Sequence, residues 1–335
     1  MKRPQLDDVT IEITNTCQLH CQWCDIWRED RRHEISAVSL MTILEKLLVS
    51  FQVQGVSITG GEPFLHANIS AVLRCLGTLK AKHRIRSFGI YTNGACSARI
   101  EEVLRKNKEF IHGMSVGISV DGLPGTHDAL RGPGAYARTL KTLRLLRQRY
   151  DGYLDVELKF TANEENCRDL YDVYALALAY GFRFTPKLVE THVTAYYHRA
   201  GGTDRKRKIG PGQNFLPVLR AQILAILKQE KREPSNAIQP KMLRMLLRLA
   251  EGGRGRITAC KTPARCLFIT SRGAVYPCLY MPLAGTIDPD SLCSRKFFTL
   301  RAARIDQGAQ AHCPGCSSYH GFLKNFNAAS LTAIA

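Results

Sequence analysis

The sequence has no long apolar run and no secretory start. Its 335 residues contain no stretch near the roughly 18 consecutive apolar residues of a membrane span. The opening MKRPQLDDVTIEI lacks the apolar core of a secretory signal, and no internal repeat or low-complexity tract follows. We therefore expect a cytoplasmic globular protein. In that reducing compartment, the 12 cysteines are better explained as metal ligands, or as residues with no such role, than as disulfides.

Negative charge is also scarce. The chain has 29 Asp and Glu residues against 47 Lys and Arg, which gives a formal net charge of +18. Much of the excess lies in the stretch 199–256. Such a segment is typical of proteins that bind an acidic partner, such as a phosphorylated small molecule, an acidic peptide, nucleic acid or an anionic membrane surface. The alternative is a solvated basic face that only keeps the protein soluble.

The first 190 residues alternate short β-rich runs with helical patterns. The β-rich runs cover residues 9–14, 55–59, 87–92, 113–120, 154–160 and 182–189. The helical patterns lie near residues 38–51, 68–80, 97–107, 136–149 and 166–180. Six strands separated by five helices predict βαβ units and therefore a parallel α/β sheet, either doubly wound or curled into a whole or partial barrel.

The pattern changes after residue 190. A basic loop leads to two helical patterns, near 214–231 and 238–251. In the second, Lys241, Arg244 and Arg248 form a narrow stripe and apolar residues cover the rest. This pattern predicts a packed helix, with a helix on a membrane surface as the alternative. A cysteine-rich tail follows and opens with a predicted β-hairpin around an SRG turn.

Three cysteines within eight residues follow the first strand, and no fourth lies near Cys17, Cys21 and Cys24. Structural zinc sites use four ligands, usually as two spaced pairs. Three clustered thiolates suit an iron–sulfur cube instead, with one iron open to a ligand that reacts. Because the carboxyl ends of parallel strands form one rim, we expect these cysteines to meet the turns GGEP, TNG, DG and TAN that follow later strands.

The spacing Cys17-x3-Cys21-x2-Cys24, with an aromatic residue before the last cysteine, resembles the signature of radical S-adenosylmethionine (SAM) enzymes. GGEP, YTNG, SVDG and HDALRG then occur in the order found in the branch with a C-terminal auxiliary cluster domain. The resemblance covers about 9–190 and the tail. It implies a partial (β/α)6 TIM-like barrel, a basic helical connector and a small twitch-like domain, with boundaries at 1–190, 191–256 and 257–335.

The resemblance also implies cofactors. The three cysteines would bind a [4Fe–4S] cluster whose open iron chelates SAM, and one electron, from a donor such as flavodoxin or ferredoxin, would release a 5′-deoxyadenosyl radical. The residues implied to contact SAM are Trp23, Gly60, Gly61, Glu62, Pro63, Asn93, Ser119, Asp121 and Arg131. The two glycines would let backbone approach the methionine end of SAM. Asn93 has a second interpretation as a helix cap, and Asn163 is predicted to be only a cap.

Strand alternation predicts a polar inner wall. Every second residue of LDVELKF (154–160) is apolar and points towards the helices, so Glu157 and Lys159 face inward. The same reasoning places Glu12 and Lys187 on the inner side of the first and sixth strands. We predict that these four residues bind or react with a polar substrate. The alternative is an inner face that is simply wet.

The tail resembles the short twitch form of the auxiliary domain. The predicted ligands of a second [4Fe–4S] cluster are Cys260, Cys278, Cys313 and Cys316. Cys266 is predicted to lie within a strand and not to bind this cluster, and Cys293 has no assigned role. A zinc site in place of the second cluster is the alternative. Four ligands would close this cluster, so we expect it to accept an electron from a substrate radical rather than bind substrate.

These predictions describe an oxidoreductase or maturase-type enzyme with two possible substrate classes. The polar wall and the basic connector favour dehydrogenation or epimerisation of a sugar-like, aminocyclitol-like or phosphorylated small molecule. The alternative is modification or crosslinking of a peptide or protein. A non-catalytic, metal-containing nucleic-acid-binding protein is a remote third reading, because it leaves the strand-end motifs unexplained. We expect no nucleic-acid partner, and we favour no peripheral membrane contact.

Overall fold

Most of the strands in the described part of the chain belong to one nine-stranded sheet. The computed structural model describes residues 3–29, 31–189, 214–251, 265–276 and 285–286. The strands are β1 (Gln5–Leu6), β2 (Asp8–Thr14), β3 (Gln52–Val53), β4 (Gly55–Gly60), β5 (Ser87–Thr92), β6 (Ser115–Ser119), β7 (Asp155–Ala162), β8 (Arg183–Leu188), β9 (Cys266–Ile269), β10 (Ala274–Tyr276) and β11 (Gly285–Thr286). Strands β1 and β3 pair separately, and the sheet order is β11-β10-β9-β2-β4-β5-β6-β7-β8.

Six parallel strands, β2 and β4 to β8, form the predicted partial (β/α)6 barrel. The helices are α1 (Ala37–Ser50), α2 (Ile69–Ala81), α3 (Ser97–Lys106), α4 (Pro124–Arg131), α5 (Ala135–Tyr150), α6 (Leu170–Tyr180), α7 (Phe215–Arg232) and α8 (Pro240–Ala250). Helix α4 is an addition to the predicted pattern. Within the described ranges, no helix combines the length and apolarity needed to cross a bilayer.

Local sequence signals explain several helix ends. The Ser36 side chain accepts a hydrogen bond from the Ser39 backbone N–H and caps α1. Helix α4 begins with Pro124. A backbone N–H at the first position of a helix has no intrahelical partner, so proline loses no hydrogen bond there by lacking this group. Gly134 before α5 and Gly181 after α6 both adopt left-handed backbone, with φ of 70° and 67°, which glycine tolerates without a Cβ clash.

The two faces of the barrel sheet differ as the alternation predicts. On β7, Val156, Leu158 and Phe160 are buried in the apolar layer between sheet and helices. Each such side chain stabilises the fold by about 1.5–3 kcal/mol relative to an exposed one. Glu157 and Lys159 lie on the opposite face and form an ion pair. The strand therefore presents polar groups to the inside of the barrel.

The C-terminal hairpin extends the barrel sheet. Strand β9 pairs in parallel with β2, from Asp8 opposite Cys266 to Ile11 opposite Ile269. Strand β10 is antiparallel to β9, which confirms the predicted hairpin. The Arg265 guanidinium adds an ion pair of 2.7 Å to the Asp7 carboxylate. The alternation pattern could not predict this pairing, because it joins segments that are far apart in the chain.

The connector helices pack against the end of the barrel. Tyr174 on α6 donates its hydroxyl proton to the buried Glu230 carboxylate on α7, at 2.5 Å. On α8, Leu243 and Leu246 are buried, whereas Arg244 is exposed. The packed-helix interpretation of this segment is therefore confirmed. The basic loop 201–213 lies outside the described residues.

Candidate active site

The three clustered cysteines lie in the loop that follows β2. We call residues 15–29 the cysteine loop. Cys21 is buried, Cys17 and Cys24 are partly buried, and all three are free thiols that pack with Leu19, Ala95 and Ala135. The Gln22 backbone N–H donates to the Leu130 carbonyl at 3.0 Å, and its side chain donates to the Ala129 carbonyl at 2.9 Å. Helix α4 therefore holds the middle of the loop.

The environment of the three thiols opposes deprotonation. Burial raises the pKa of Cys17 and Cys24 to about 12, and it also raises that of Cys21. The charge of Cys21 raises the pKa of both other thiols further, whereas Arg131 lowers all three. Three thiolates in one packed cluster need positive charge, and bound metal supplies it because a coordinating thiol is deprotonated outright.

Two side chains donate hydrogen bonds to the cysteine sulfurs. The Asn93 Nδ2 group lies 3.7 Å from Cys17 Sγ, and the Arg131 Nη1 group lies 3.8 Å from Cys21 Sγ. Hydrogen bonds of this kind to the sulfurs are among the protein's means of tuning an iron–sulfur cluster. Asn93 does not cap a helix, because α3 begins four residues later at Ser97, after Cys96. The structure thus places Asn93 at the cysteines.

Arg131 forms a buried ion pair with Asp121. The guanidinium reaches the Asp121 carboxylate with two nitrogens, and both side chains are buried. The other Asp121 oxygen accepts the Thr161 backbone N–H at 2.6 Å. The Arg131 guanidinium also lies 5.4 Å from the ring centroid of Trp23. Sequence-predicted residues from three segments therefore meet at the cysteines.

Glu62 connects the ends of β4 and β5. Its carboxylate is fully buried and accepts the Thr92 hydroxyl at 2.7 Å, the Asn93 backbone N–H at 2.8 Å and the Phe64 backbone N–H at 3.2 Å. Burial raises the pKa of Glu62 to about 7, although these donors oppose the shift. The contacts hold the GGEP and YTNG turns together, and a contact of Glu62 with SAM stays a prediction. Pro63 is buried in the short turn that follows.

The structure shows why GGEP needs its two glycines: backbone from another segment lies where their Cβ atoms would be. A Cβ on Gly60 would lie 2.3 Å from the Thr14 carbonyl oxygen, and a Cβ on Gly61 would lie 2.2 Å from that of Thr16. The space that these glycines leave free is filled by the backbone that leads into the cysteine loop. The glycines therefore allow close packing against the protein's own backbone, and their contact with SAM stays a prediction.

The inner wall contains a network of charged groups. Lys159 Nζ lies 2.8 Å from Glu157 Oε1 and 5.1 Å from the Tyr91 ring centroid, and the Thr185 hydroxyl donates to Glu157 Oε2 at 2.7 Å. Burial raises the pKa of Glu157, but Lys159 and Arg183 outweigh it and the pKa is lowered. Burial lowers the pKa of Lys159, but Tyr91 and Glu157 outweigh it and the pKa is raised. Both groups are therefore charged at neutral pH.

The other predicted wall residues differ in position. Glu12 is fully buried, and its carboxylate accepts hydrogen bonds from the Ser271 backbone N–H, at 3.1 Å, and the Ser271 hydroxyl. It therefore bonds to the hairpin turn instead of facing an open cavity. Lys187 and Ser119 lie at the ends of β8 and β6 and are partly exposed. Their roles in binding stay predictions.

Sequence analysis missed Tyr91, Thr185 and Arg183 as members of the inner wall. Strand register is the signal that finds them, because Tyr91 and Glu157 both pair with Gly117, and Lys159 pairs with Thr185. Asn163 does not cap a helix, because the next helical turn begins four residues later at Cys167; its side chain instead accepts the Glu165 and Asn166 backbone N–H groups in the turn after β7. The predicted auxiliary ligands Cys260, Cys278, Cys313 and Cys316 lie outside the described residues.

The donor set around the cysteine loop fits an iron–sulfur cluster. Among the described residues, no three His, Cys, Asp or Glu side chains are arranged to hold a single metal ion. The fit therefore depends on chemistry: three neighbouring thiols, N–H donors aimed at two of the sulfurs, and a guanidinium that lowers all three thiol pKa values. These features are suited to thiolate ligands of a cluster.

Comparison with known families identifies this region. Residues 11–162 match the family model described as Radical SAM superfamily. The chain carries a radical SAM domain. The matched residues run from β2 to β7 and include the cysteine loop, the GGEP turn and the Arg131–Asp121 pair. The cofactors of the radical SAM family are a [4Fe–4S] cluster and SAM, which agrees with the donor set.

Curated relatives share the domain at low identity. The sporulation killing factor maturation protein SkfB of Bacillus subtilis (strain 168) is 28% identical over 166 residues, which cover 49% of this chain and 38% of SkfB. The antilisterial bacteriocin subtilosin biosynthesis protein AlbA of the same organism is 29% identical over 49% of this chain and 35% of AlbA. The AdoMet-dependent heme synthase of Methanosarcina barkeri is 24% identical over 82% of this chain and 78% of that protein. The matches to SkfB and AlbA thus span under two fifths of those relatives.

Solved structures share the fold over most of the length of this chain. Streptococcus suis SuiB bound to S-adenosylmethionine is 18% identical, covers 90% of this chain and 68% of SuiB, and has a TM-score of 0.63. Native anSMEcpe with bound AdoMet is 17% identical, covers 89% of this chain and 83% of that chain, and has a TM-score of 0.61. At these identities the likeness establishes the fold alone.

The buried ring of His127, which contacts the Asp121 backbone, makes the stability of the protein depend on pH. It is fully buried and its Nδ1 accepts the Asp121 backbone N–H at 3.1 Å, while burial and Arg131 lower its pKa to about 3. The unfolded chain binds a proton at this ring below its usual pKa of about 6.5, whereas the folded chain does not, so stability falls as pH drops through that value. We expect the free energy of unfolding to lose about 1.4 kcal/mol at about pH 5.5 through this residue.

Urea denaturation at several pH values measures this effect. In the variant His127→Asn, an amide oxygen can replace Nδ1 as acceptor and cannot be protonated in this range, so the loss below about pH 6.5 should shrink by the same amount. The matched control is His83→Asn, at an exposed position with φ of 53°, a conformation that Asn tolerates. An equal pH slope in wild type and His127→Asn would contradict the prediction.

Proposed function

We propose that this chain is a radical SAM oxidoreductase whose first [4Fe–4S] cluster is bound by Cys17, Cys21 and Cys24. The observation that carries the proposal is the meeting of these thiols with Asn93 and Arg131, which donate to two of their sulfurs. Bound by these three thiols and reduced by one electron, the cluster would supply the reductive cleavage of SAM that generates the hydrogen-abstracting species. An external donor such as flavodoxin or ferredoxin supplies that electron.

The protein's own residues have three tasks in this proposal. Asn93 and Arg131 orient and polarise the cysteine sulfurs through their N–H groups. The tightly packed turns of the cysteine loop and GGEP exclude water from a site where a radical forms. Glu157 and Lys159, both charged and on the inner wall, would hold a polar substrate by hydrogen bonds while hydrogen is removed.

Two substrate classes remain in the proposal. The charged inner wall supports a small polar or phosphorylated molecule. The names of several relatives support a peptide instead: SkfB is a maturation protein, AlbA takes part in bacteriocin biosynthesis, and another SuiB structure holds the precursor peptide SuiA. Both classes are rich in hydrogen-bonding groups, so the wall residues serve either. Because the matches span under two fifths of SkfB and AlbA, we propose the peptide class on the names of the relatives alone.

We further propose that the tail binds a second, auxiliary [4Fe–4S] cluster through Cys260, Cys278, Cys313 and Cys316. Its support is the cysteine spacing and the resemblance to twitch-type enzymes. A cluster with all irons ligated by protein can accept the electron that a substrate radical releases. This would make the overall reaction a two-electron oxidation of the substrate, with loss of a hydrogen atom, a proton and an electron.

Anaerobic incubation with dithionite and SAM tests the function. Wild type should produce 5′-deoxyadenosine, and the triple variant Cys17→Ala, Cys21→Ala, Cys24→Ala should produce none above background, because no thiolate remains to hold the first cluster. Iron analysis should give about eight irons per chain in wild type and about four in the variant if the tail holds a second cube. Equal 5′-deoxyadenosine formation by the two proteins would refute the proposal.

A further inference from the structure

The turn of the C-terminal hairpin touches the barrel at a buried carboxylate. We call Ser271–Arg272, between β9 and β10, the hairpin turn. The Ser271 backbone N–H and hydroxyl both donate to Glu12 Oε1, and both residues are buried. Glu12 lies on β2, two residues before that strand ends. A segment some 260 positions later in the sequence is therefore hydrogen-bonded beside the start of the cysteine loop.

The next residue of the hairpin turn contacts the cysteine loop itself. The Arg272 guanidinium lies 2.9 Å from Glu29 Oε2, and the Asn15 side-chain amide donates to the same oxygen at 2.6 Å. The Glu29 side chain is only 4% exposed, so its charge is largely removed from water, whereas Arg272 is 42% exposed. A buried carboxylate depends on its donors more strongly than a surface one.

Asn15 extends this network across the base of the loop. Its amide nitrogen also donates to the Arg31 carbonyl at 2.7 Å, and its carbonyl oxygen accepts the His33 backbone N–H at 2.8 Å. Asn15 precedes Cys17 by two residues, and Arg31 and His33 follow the loop. One side chain therefore ties the entry of the cysteine loop to its exit, and Arg272 shares the carboxylate that Asn15 holds.

We infer that the hairpin turn is a positioning element for the cysteine loop, through Arg272 on Glu29 and Ser271 on Glu12. The three cysteines must keep fixed positions to hold a cluster, and their loop has little regular structure of its own, so contacts at its base limit its opening. The hairpin turn thereby sets the environment of the first cluster. This inference rests on the proposed function, because it requires a SAM-binding cluster in the loop.

The structure offers a matched pair of variants. Arg272→Ala removes the ion pair at the cysteine loop, and Arg265→Ala removes the ion pair to Asp7 at the opposite end of β9. Both changes delete one guanidinium that joins the hairpin to the barrel, but only the first touches the loop. Arg272→Lys retains the positive charge and should restore most of the contact.

The measurement follows the reduced holoenzyme by electron paramagnetic resonance, with and without SAM, during exposure to an iron chelator. The signal that changes when SAM is added reports the first cluster. We expect Arg272→Ala to lose that signal roughly tenfold faster than wild type, since a hydrogen bond to a charged group is removed from the closed loop. Arg265→Ala and Arg272→Lys should lose it at close to the wild-type rate.

Each outcome has a separate meaning. Equal rates of signal loss in Arg272→Ala and Arg265→Ala, whether slow or fast, overturn the positioning role, because the loop contact would then matter no more than any other hairpin contact. A wild-type protein with no SAM-responsive signal overturns the proposed function itself, and the inference with it. Faster loss in Arg272→Ala alone, reversed in Arg272→Lys, supports both.

Discussion

Replacing Gly61 with alanine is expected to lower the free energy of unfolding by about 3 kcal/mol and to prevent stable binding of the first cluster. The added Cβ would lie 2.2 Å from the carbonyl oxygen and 2.5 Å from the carbonyl carbon of Thr16. Two backbone hydrogen bonds hold these segments together, from Gly61 N to Thr14 O and from Glu62 N to Thr16 O. Backbone cannot yield as a flexible side chain does, so Thr16 and the adjacent Cys17 must move.

The control for this variant is Gly125→Ala. Gly125 lies in α4, and a Cβ there would meet nothing within 4 Å. Alanine should be neutral or should stabilise the helix by up to about 1 kcal/mol, because it favours helix more than glycine does. Urea denaturation and iron content after anaerobic reconstitution measure both variants. If Gly61→Ala bound iron and unfolded like wild type, the close backbone packing described here would be wrong.

Removing the charge of Arg131 should cost about 3–5 kcal/mol, because Asp121 then keeps a buried and unpaired charge. Both side chains are buried, with 7% of Arg131 and none of Asp121 exposed. The variant Arg131→Met keeps the length of the side chain and removes its positive charge. It also removes the N–H group near Cys21 Sγ, so we expect weaker cluster retention as well as lower stability.

A double variant separates the two effects. Adding Asp121→Asn to Arg131→Met removes the unpaired charge and should recover part of the lost stability, whereas cluster retention should stay impaired because the N–H donor to sulfur is still missing. Lys106→Ala is the surface control. It breaks an exposed pair with Glu102, and such a pair contributes little to stability because water screens both charges. A loss for Arg131→Met as small as for Lys106→Ala would contradict the buried-pair argument.

Local pattern was sufficient to predict the parallel α/β sheet, and the resemblance to radical SAM enzymes added the partial barrel. Alternation on β7 placed Glu157 and Lys159 on one face because side chains of a strand point alternately to its two sides, and the ion pair between them agrees. The order of strands and helices was sufficient for the parallel sheet, since each βαβ unit has one favoured hand. The cysteine spacing, together with the motifs GGEP, YTNG, SVDG and HDALRG in their order, was sufficient for the radical SAM domain, because each motif lies within one short segment.

Long-range packing accounts for what local pattern could not predict. Glu12 was predicted to face a substrate, but Ser271 bonds its carboxylate. Gly60 was predicted to let backbone approach SAM, and the structure adds a reason that the pattern did not show: the Thr14 carbonyl lies where a Cβ on Gly60 would be. In both cases the deciding neighbour comes from another segment. Strand alternation gives the side of the sheet on which a residue lies, and it does not say which segment covers that side.

The sequence by itself therefore determined the class of fold, the three clustered thiols that we propose as ligands of the first cluster, and the polar character of the inner wall. Each depends on residue spacing within one segment, which the chain carries in any conformation. Only the tertiary structure decided that the hairpin joins β2, that Arg131 pairs with Asp121 beside Cys21, and that Arg272 reaches Glu29. These contacts join distant segments, and they form because folding brings the strand ends together at one rim of the barrel.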